Sequence, residues 1–274
     1  MGAMKLLPTT ALLSLILAIL SGASPPINET NFIRVDQDDQ EIRLQPLICN
    51  YRKGDIQVAL FGAIHLADKD YYQNLNERFK KFDCILYEMI GGENQELLKK
   101  ENQNTNHPLN QIYSLAARFL ELSHQKDFIN YQAKNFIHAD LTKEEFVRLQ
   151  TQRGESLLSF AQQATDLSSS KQPSTEALMR ALLSGDPNKA KRLIVDALAQ
   201  GDEAIAGLTG ESVIITDRNA KCLRVLEAQI TKGDQKLGVF YGAAHYPDFE
   251  KKLLQKGFKK ESEQWLSAWK IPKS

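Results

Sequence analysis

One string occurs twice in this chain and constrains what it can become: Phe61-Gly62-Ala63-Ile64-His65 returns 180 positions later as Tyr241-Gly242-Ala243-Ala244-His245. Each copy follows an apolar strand-like run and precedes a helix-like run, so the repeated unit reads as strand, GAxH turn, helix. Gly accepts backbone angles closed to other residues, and the small Ala beside it allows a sharp bend at the end of a buried strand. The histidine then sits at the carboxyl edge of a sheet, where open α/β folds hold their ligands. Two such corners are expected to face one crevice.

The intervening chain supports this reading. Residues 31–35 and 42–51 alternate apolar and polar side chains around Gln37-Asp38-Asp39-Gln40, the pattern of a β-hairpin. Arg52-Lys53-Gly54-Asp55 makes the next turn, and residues 56–61 form the buried strand that delivers His65. Residues 68–81 carry Tyr72, Leu75 and Phe79 at helical spacing, with Phe82 beyond, and residues 82–88 form another apolar strand ending in Glu88. A strand-helix-strand unit implies parallel strands, which brings Glu88 out at the same edge as His65. Residues 109–122 read as an amphipathic helix, and residues 135–140 as a short strand carrying His138 and Asp140 into a Thr142-Lys143-Glu144-Glu145 capping box. Residues 142–209 show only helical segments, broken at Gly154, Ser168-Ser169-Ser170, Gly185-Asp186-Pro187 and Gly201-Asp202. They are expected to form a helical insertion or lid and not a separate folding domain. A helix over about 212–231, the strand 236–241 before the second GAxH, a helix over 248–255 and a final edge strand within 257–265 complete the pattern.

With 274 residues, 42% hydrophobic and 25% charged, the chain can build a sizeable core. Its 34 basic residues balance 34 acidic ones, so nothing in the charge favours nucleic acid or an anionic membrane surface. The first residues are distinctive: Lys5, an apolar run over 6–20 interrupted by Pro8-Thr9-Thr10, and small residues at Ser21 and Ala23. That is the pattern of a secretory signal peptide over residues 1–23, with an uncleaved anchor as the alternative, and the remainder is expected to be one exported domain, periplasmic, cell-surface or secreted. An anchor would keep the protein close to a membrane. A polar, Pro-rich leader follows, with a glycosylation acceptor at Asn28 if the chain meets that machinery. Three cysteines, Cys49, Cys84 and Cys222, cannot all pair within the chain and fit no zinc spacing. Cys84 reads as a core residue, and Cys49 and Cys222 could pair only if the fold joins them.

His65, Glu88 and His245 are the candidate site. Two imidazoles and a carboxylate, each at the end of a different strand, match the ligand chemistry of a catalytic Zn, Mn or Co centre, which activates water and polarises a carbonyl for hydrolysis. The alternative is that GAxH is only a tight turn and each His caps the helix after it. His138 and Asp140 could complete the metal shell or orient a ligand, and Asp140 could equally serve only as a helix start. Arg218 could form a structural pair with its neighbour Asp217, bind a substrate carboxylate, or orient Glu88. His107 and His124 read as solvated surface residues. The chain contains no HExxH, no GxSxG, no phosphate-binding Gly-rich loop and no GxGxxG.

The order of these motifs resembles the TraB/GumN/Tiki group, which belongs with the erythromycin-esterase and ChaN-like proteins. Gly62 to His65, Glu88, Arg218-Asn219, Gly242 to His245 and Gly257 carry the resemblance, over about residues 56–258 with a loosely matching middle third. It implies an EreA/ChaN-like α/β fold, a mixed and mostly parallel sheet flanked by helices, with its two halves meeting at a central site. Tiki members are described as divalent-metal-dependent proteases, TraB relatives as inhibitors of peptide pheromones and ChaN relatives as haem binders. The resemblance therefore implies a metal-dependent hydrolase of peptides or small molecules, with His65, Glu88 and His245 as metal-site and catalytic residues and Arg218 in support. The alternative is a binding protein that sequesters a peptide or haem.

Overall fold

Strand β2 (Glu41–Lys53) is the longest among the described residues, and four other strands hydrogen-bond to it. The structure is a computed structural model and describes residues 32–92, 108–155, 175–200 and 212–273. The expected signal peptide, the leader with Asn28, His107 and the breaks at Ser168-Ser169-Ser170 and Gly201-Asp202 lie outside the described residues. Among the described residues no helix is long and apolar enough to cross a membrane.

Residues 41–46 of β2 pair with β1 (Ile33–Gln37) on one side and with β10 (Trp269–Pro272) on the other. Residues 47–53 change partners, to β3 (Ile56–Ala63) and β9 (Lys259–Trp265). Pro46, at the junction, cannot donate to a ladder, which suits a strand passing from one set of partners to the next. The expected hairpins β1–β2 and β2–β3 form, the second around Gly54 at a φ of 58°. The strand expected to end the chain is followed by one more, β10, too short and too polar at Lys270 to stand out as a run.

From β3 onward the sheet is parallel. Its order continues through β8 (Lys236–Gly242) and β5 (Cys84–Tyr87) to β7 (Phe136–His138). The unit of β3, helix α1 (Lys69–Phe79) and β5 is parallel as expected, but β8 from the far end of the chain lies between its two strands. Helix α1 turns Tyr71, Tyr72, Leu75 and Phe79 into the core, where Phe61 meets Phe79 and Phe82 edge to face. A two-residue ladder of β4 (Leu66–Ala67) with β6 (Ser123–His124) lies outside the main sheet, between α2 (Pro108–Phe119) and the single turn α3 (Gln125–Phe128).

The capping box opens α4 (Lys143–Arg153) as expected, and Gly154 closes it at a φ of 65°. Helices α5 (Thr175–Leu183) and α6 (Pro187–Gln200) follow, and no strand occurs among the described residues of the insertion. Ala181, Ala190, Ile194 and Val195 join the same core as the sheet. The helix expected over 212–231 begins as a five-residue π turn, Val213–Asp217, before α7 (Arg218–Lys232). After β8 a 3-10 turn, Ala243–His245, leads into α8 (Tyr246–Gln255). All three cysteines are buried and free. Burial raises the Cys49 thiol to about 11 and that of Cys84 to about 12, which suits core residues and not nucleophiles.

Candidate functional site

The two GAxH strings lie side by side. In the β3–β8 ladder Phe61 faces Phe240, Gly62 faces Tyr241 and Ala63 faces Gly242, a stagger of one residue. β5 flanks β8 on its other side, so the Glu88 backbone N–H reaches Phe240 O at 3.1 Å, and Tyr87 at the end of β5 faces His138 on β7. His65, Glu88, His245, His138 and Asp140 thus leave the carboxyl ends of four adjacent parallel strands, the edge where such sheets hold ligands.

Neither motif glycine adopts a positive φ, which corrects the expectation of a special turn angle. Gly62 is required by close approach: a Cβ there would lie 2.9 Å from Pro46 Cβ and 3.3 Å from Leu47 O. At Gly242 the neighbour is a carboxylate, since a Cβ would lie 3.4 Å from Glu88 Oε2.

Arg218 stands at the centre. Its Nε and Nη2 grip Asp140 Oδ1 and Oδ2 at 2.9 and 2.5 Å, and Nη2 also donates to Glu88 Oε1 at 2.7 Å. Asp140 is fully buried and Arg218 6% exposed, so the pair is bidentate and desolvated. Glu88 Oε2 accepts the Gly242 N–H at 2.6 Å, linking the carboxylate to the second motif. Burial works against the ionised Glu88, but Arg218, His245 and His65 outweigh it and hold the carboxyl well below its ordinary range. Of the alternatives for Arg218, the pair with Asp217 does not form, because the π turn sends Asp217 to Arg153 at 2.8 Å and leaves Arg218 to Asp140 and Glu88. Such π turns recur where a helix must aim side chains at a site.

His245 is 3% exposed, and its Nδ1 lies 2.6 Å from Asn219 Oδ1. Asn219 Nδ2 donates to His245 O and to Asp248 Oδ2, at 2.9 and 2.8 Å, so the atom facing the ring is the oxygen. A carboxamide oxygen only accepts, so Nδ1 carries hydrogen and Nε2 points at Glu88 Oε1, 3.6 Å away. His245 does not cap the helix after it. Next to it, the Tyr246 hydroxyl donates to Phe61 O and Val239 O, tying together the two strands that end in histidines.

His65 keeps partial exposure, and burial lowers its proton affinity against the pull of Glu88. The corner around it is stitched by Tyr72, which donates to Ile64 O at 2.7 Å, by Trp269, which donates to Leu66 O at 2.6 Å, and by the Gln125 backbone N–H on His65 O at 2.9 Å. His124, expected to be a solvated surface residue, is half-buried opposite Leu66, caps α3 by accepting from the Lys126 N–H, and is pushed down to about 4 by that burial. His138 donates from Nε2 to Met89 O at 2.7 Å, which fixes the turn after Glu88. Asp140 gives its oxygens to Arg218 and the Leu141 N–H. Both residues therefore act on the supports of Glu88.

Among the described residues no three His, Cys, Asp or Glu side chains are grouped so as to hold a metal ion. The donors nearest to that are His245 Nε2 and Glu88 Oε1, facing each other with the tautomer set by Asn219 in the manner of a ligand and its outer partner. Asn219 stood in the sequence beside Arg218, and its amide was the available signal for a histidine partner. Gln125 and Tyr246 carried no pattern of their own. No protein-family profile, curated protein or solved structure matches the chain.

Proposed function

We propose that the chain is an exported metal-dependent hydrolase acting on peptide bonds, of the TraB/GumN/Tiki type, with His65, Glu88 and His245 as its central residues. The observation that carries the reading is the meeting of two histidine corners and one mostly buried carboxylate at a single edge of adjacent parallel strands. In this reading His65, Glu88 and His245, drawn closer together than they stand here, would hold a divalent Zn, Mn or Co ion, which when bound lowers the pKa of water and polarises a carbonyl. Glu88, kept ionised by Arg218, suits a ligand or a fixed counter-charge better than a proton acceptor. His65, whose ring resists protonation, suits a ligand or a base.

Elemental analysis of the purified protein beside His65→Ala and His245→Ala tests the reading. Metal bound by the native chain and lost in both variants is the expected result, together with chelator-sensitive cleavage of a peptide library. Equal metal content in all three folded proteins would overturn it. The second reading is sequestration of a peptide or haem without turnover, for which the meeting of the two histidine corners at one sheet edge suffices. Retention of intact peptides, or a Soret band abolished by either histidine variant, would select it.

A further inference from the structure

Each corner histidine meets a carboxamide from the start of a helix. At His245 the amide is Asn219, whose NH2 is occupied elsewhere so that its oxygen faces the ring. Near His65 the amide is Gln125, the first residue of α3, 6% exposed. Its backbone is pinned to the histidine, with Gln125 N on His65 O at 2.9 Å and His124 paired with Leu66. Gln125 Nε2 donates to the Tyr131 hydroxyl at 2.6 Å, which leaves Oε1 as the other end of the amide. That oxygen is shut off from solvent and, among the described residues, has no partner within hydrogen-bond geometry. A buried amide oxygen is costly to leave so, and the side chain that the Gln125 amide acts on is the His65 ring.

We propose that Gln125 is the positioning residue of His65, the counterpart of Asn219 at His245: its oxygen engages the hydrogen on one ring nitrogen and turns the other, bare nitrogen toward the crevice shared with Glu88. The proposal rests on His65 belonging to the site and does not require the reaction to be hydrolysis. It explains why the turn 123–128 is bound to the first corner by main-chain bonds on both β4 and His65. It also gives each corner histidine an amide oxygen as its partner although their backbones differ.

The test is the nitrogen-15 spectrum of the histidine rings in the full chain at neutral pH, with His65 assigned by its loss in His65→Ala. The native protein is expected to show one tautomer for His65 and one for His245. Gln125→Met should mix the two His65 tautomers and leave His245 unchanged, whereas Gln125→Glu, which keeps an acceptor at the same reach, should retain a single form. A His65 pattern unaltered in Gln125→Met, or mixed as well in Gln125→Glu, would overturn the proposal. If Gln125→Met loses the His245 signature and so fails to fold, Gln125→Asn replaces it: the amide is kept but shortened, and an unaltered His65 pattern there would equally overturn the proposal. Peptide cleavage at the native rate with the tautomer lost would remove His65 from the reaction and leave its positioning by Gln125 established.

Discussion

The two GAxH corners share a sequence and a sheet edge but almost no local structure. At the second, the chain winds directly from β8 into a 3-10 turn and α8, and His245 is buried against Asn219. At the first, β3 ends at Ala63, the chain bends at a partly exposed His65, and β4 then pairs with β6. The glycines differ as well, Gly62 making room for Pro46 and Gly242 for the Glu88 carboxylate. A short motif thus specifies a place, the end of a parallel strand beside another, while the elements packed on it decide the conformation. What joins the two corners is Glu88, which interacts electrostatically with both histidines and hydrogen-bonds to Gly242.

The largest test of that junction is Arg218→Met. It leaves a fully buried Asp140 and a mostly buried Glu88 without their cation, which should cost about 3–5 kcal/mol in urea unfolding. Combining it with Asp140→Asn should recover part of the loss, because a neutral amide is cheaper to bury than an unpaired carboxylate. A loss below about 1 kcal/mol, the range of exposed ion pairs, would mean that the cluster is open to water and that the corners are not joined through it.

How much of this was legible in the sequence follows from which contacts are local. The hairpins, the α1 face and the capping box at Thr142 depend on residues a few positions apart, and they appear where expected. The common edge for His65, Glu88 and His245 was legible from the strand-helix-strand order. The insertion of β8 between β3 and β5 was not, because strand order is decided by pairings across the whole chain. Arg218 was legible as a charged residue in an apolar stretch, but its partner Asp140, 78 positions away, was not. Nor was the role of β2, since a half-polar strand does not reveal that it has neighbours on both edges at each end.

The glycines allow a finer comparison. Gly62→Ala forces a methyl group against Pro46 and a backbone oxygen, neither of which can step aside, and should cost about 1–3 kcal/mol. Gly242→Ala has an allowed φ of −53° and meets only the Glu88 side chain, so it should cost less than about 1 kcal/mol. Its effect should fall instead on whatever Glu88 does, metal retention or turnover. The reverse ranking in unfolding experiments would show that the second corner, and not the first, is the tightly packed one.

The smallest expected effect is the pH dependence set by the histidines of the first corner. Burial lowers the proton affinity of His65 in the folded chain below the ordinary 6.5, so above that value the ring is neutral in both states and adds no pH dependence. As the pH falls through 6.5 the unfolded chain takes the proton first, and stability declines until the folded ring also titrates. His124, pushed down to about 4, contributes with the same sign in the same window. Glu88 acts lower, its contribution being present above the ordinary carboxylate range and lost only as the pH falls through its depressed value. Urea midpoints measured across this range should therefore slope less in His124→Gln than in the native chain, and less again when His65→Gln is added. A slope unchanged by His65→Gln would mean that this ring is solvated like a surface imidazole, so that the first corner is an open one and only His245 is held inside the fold.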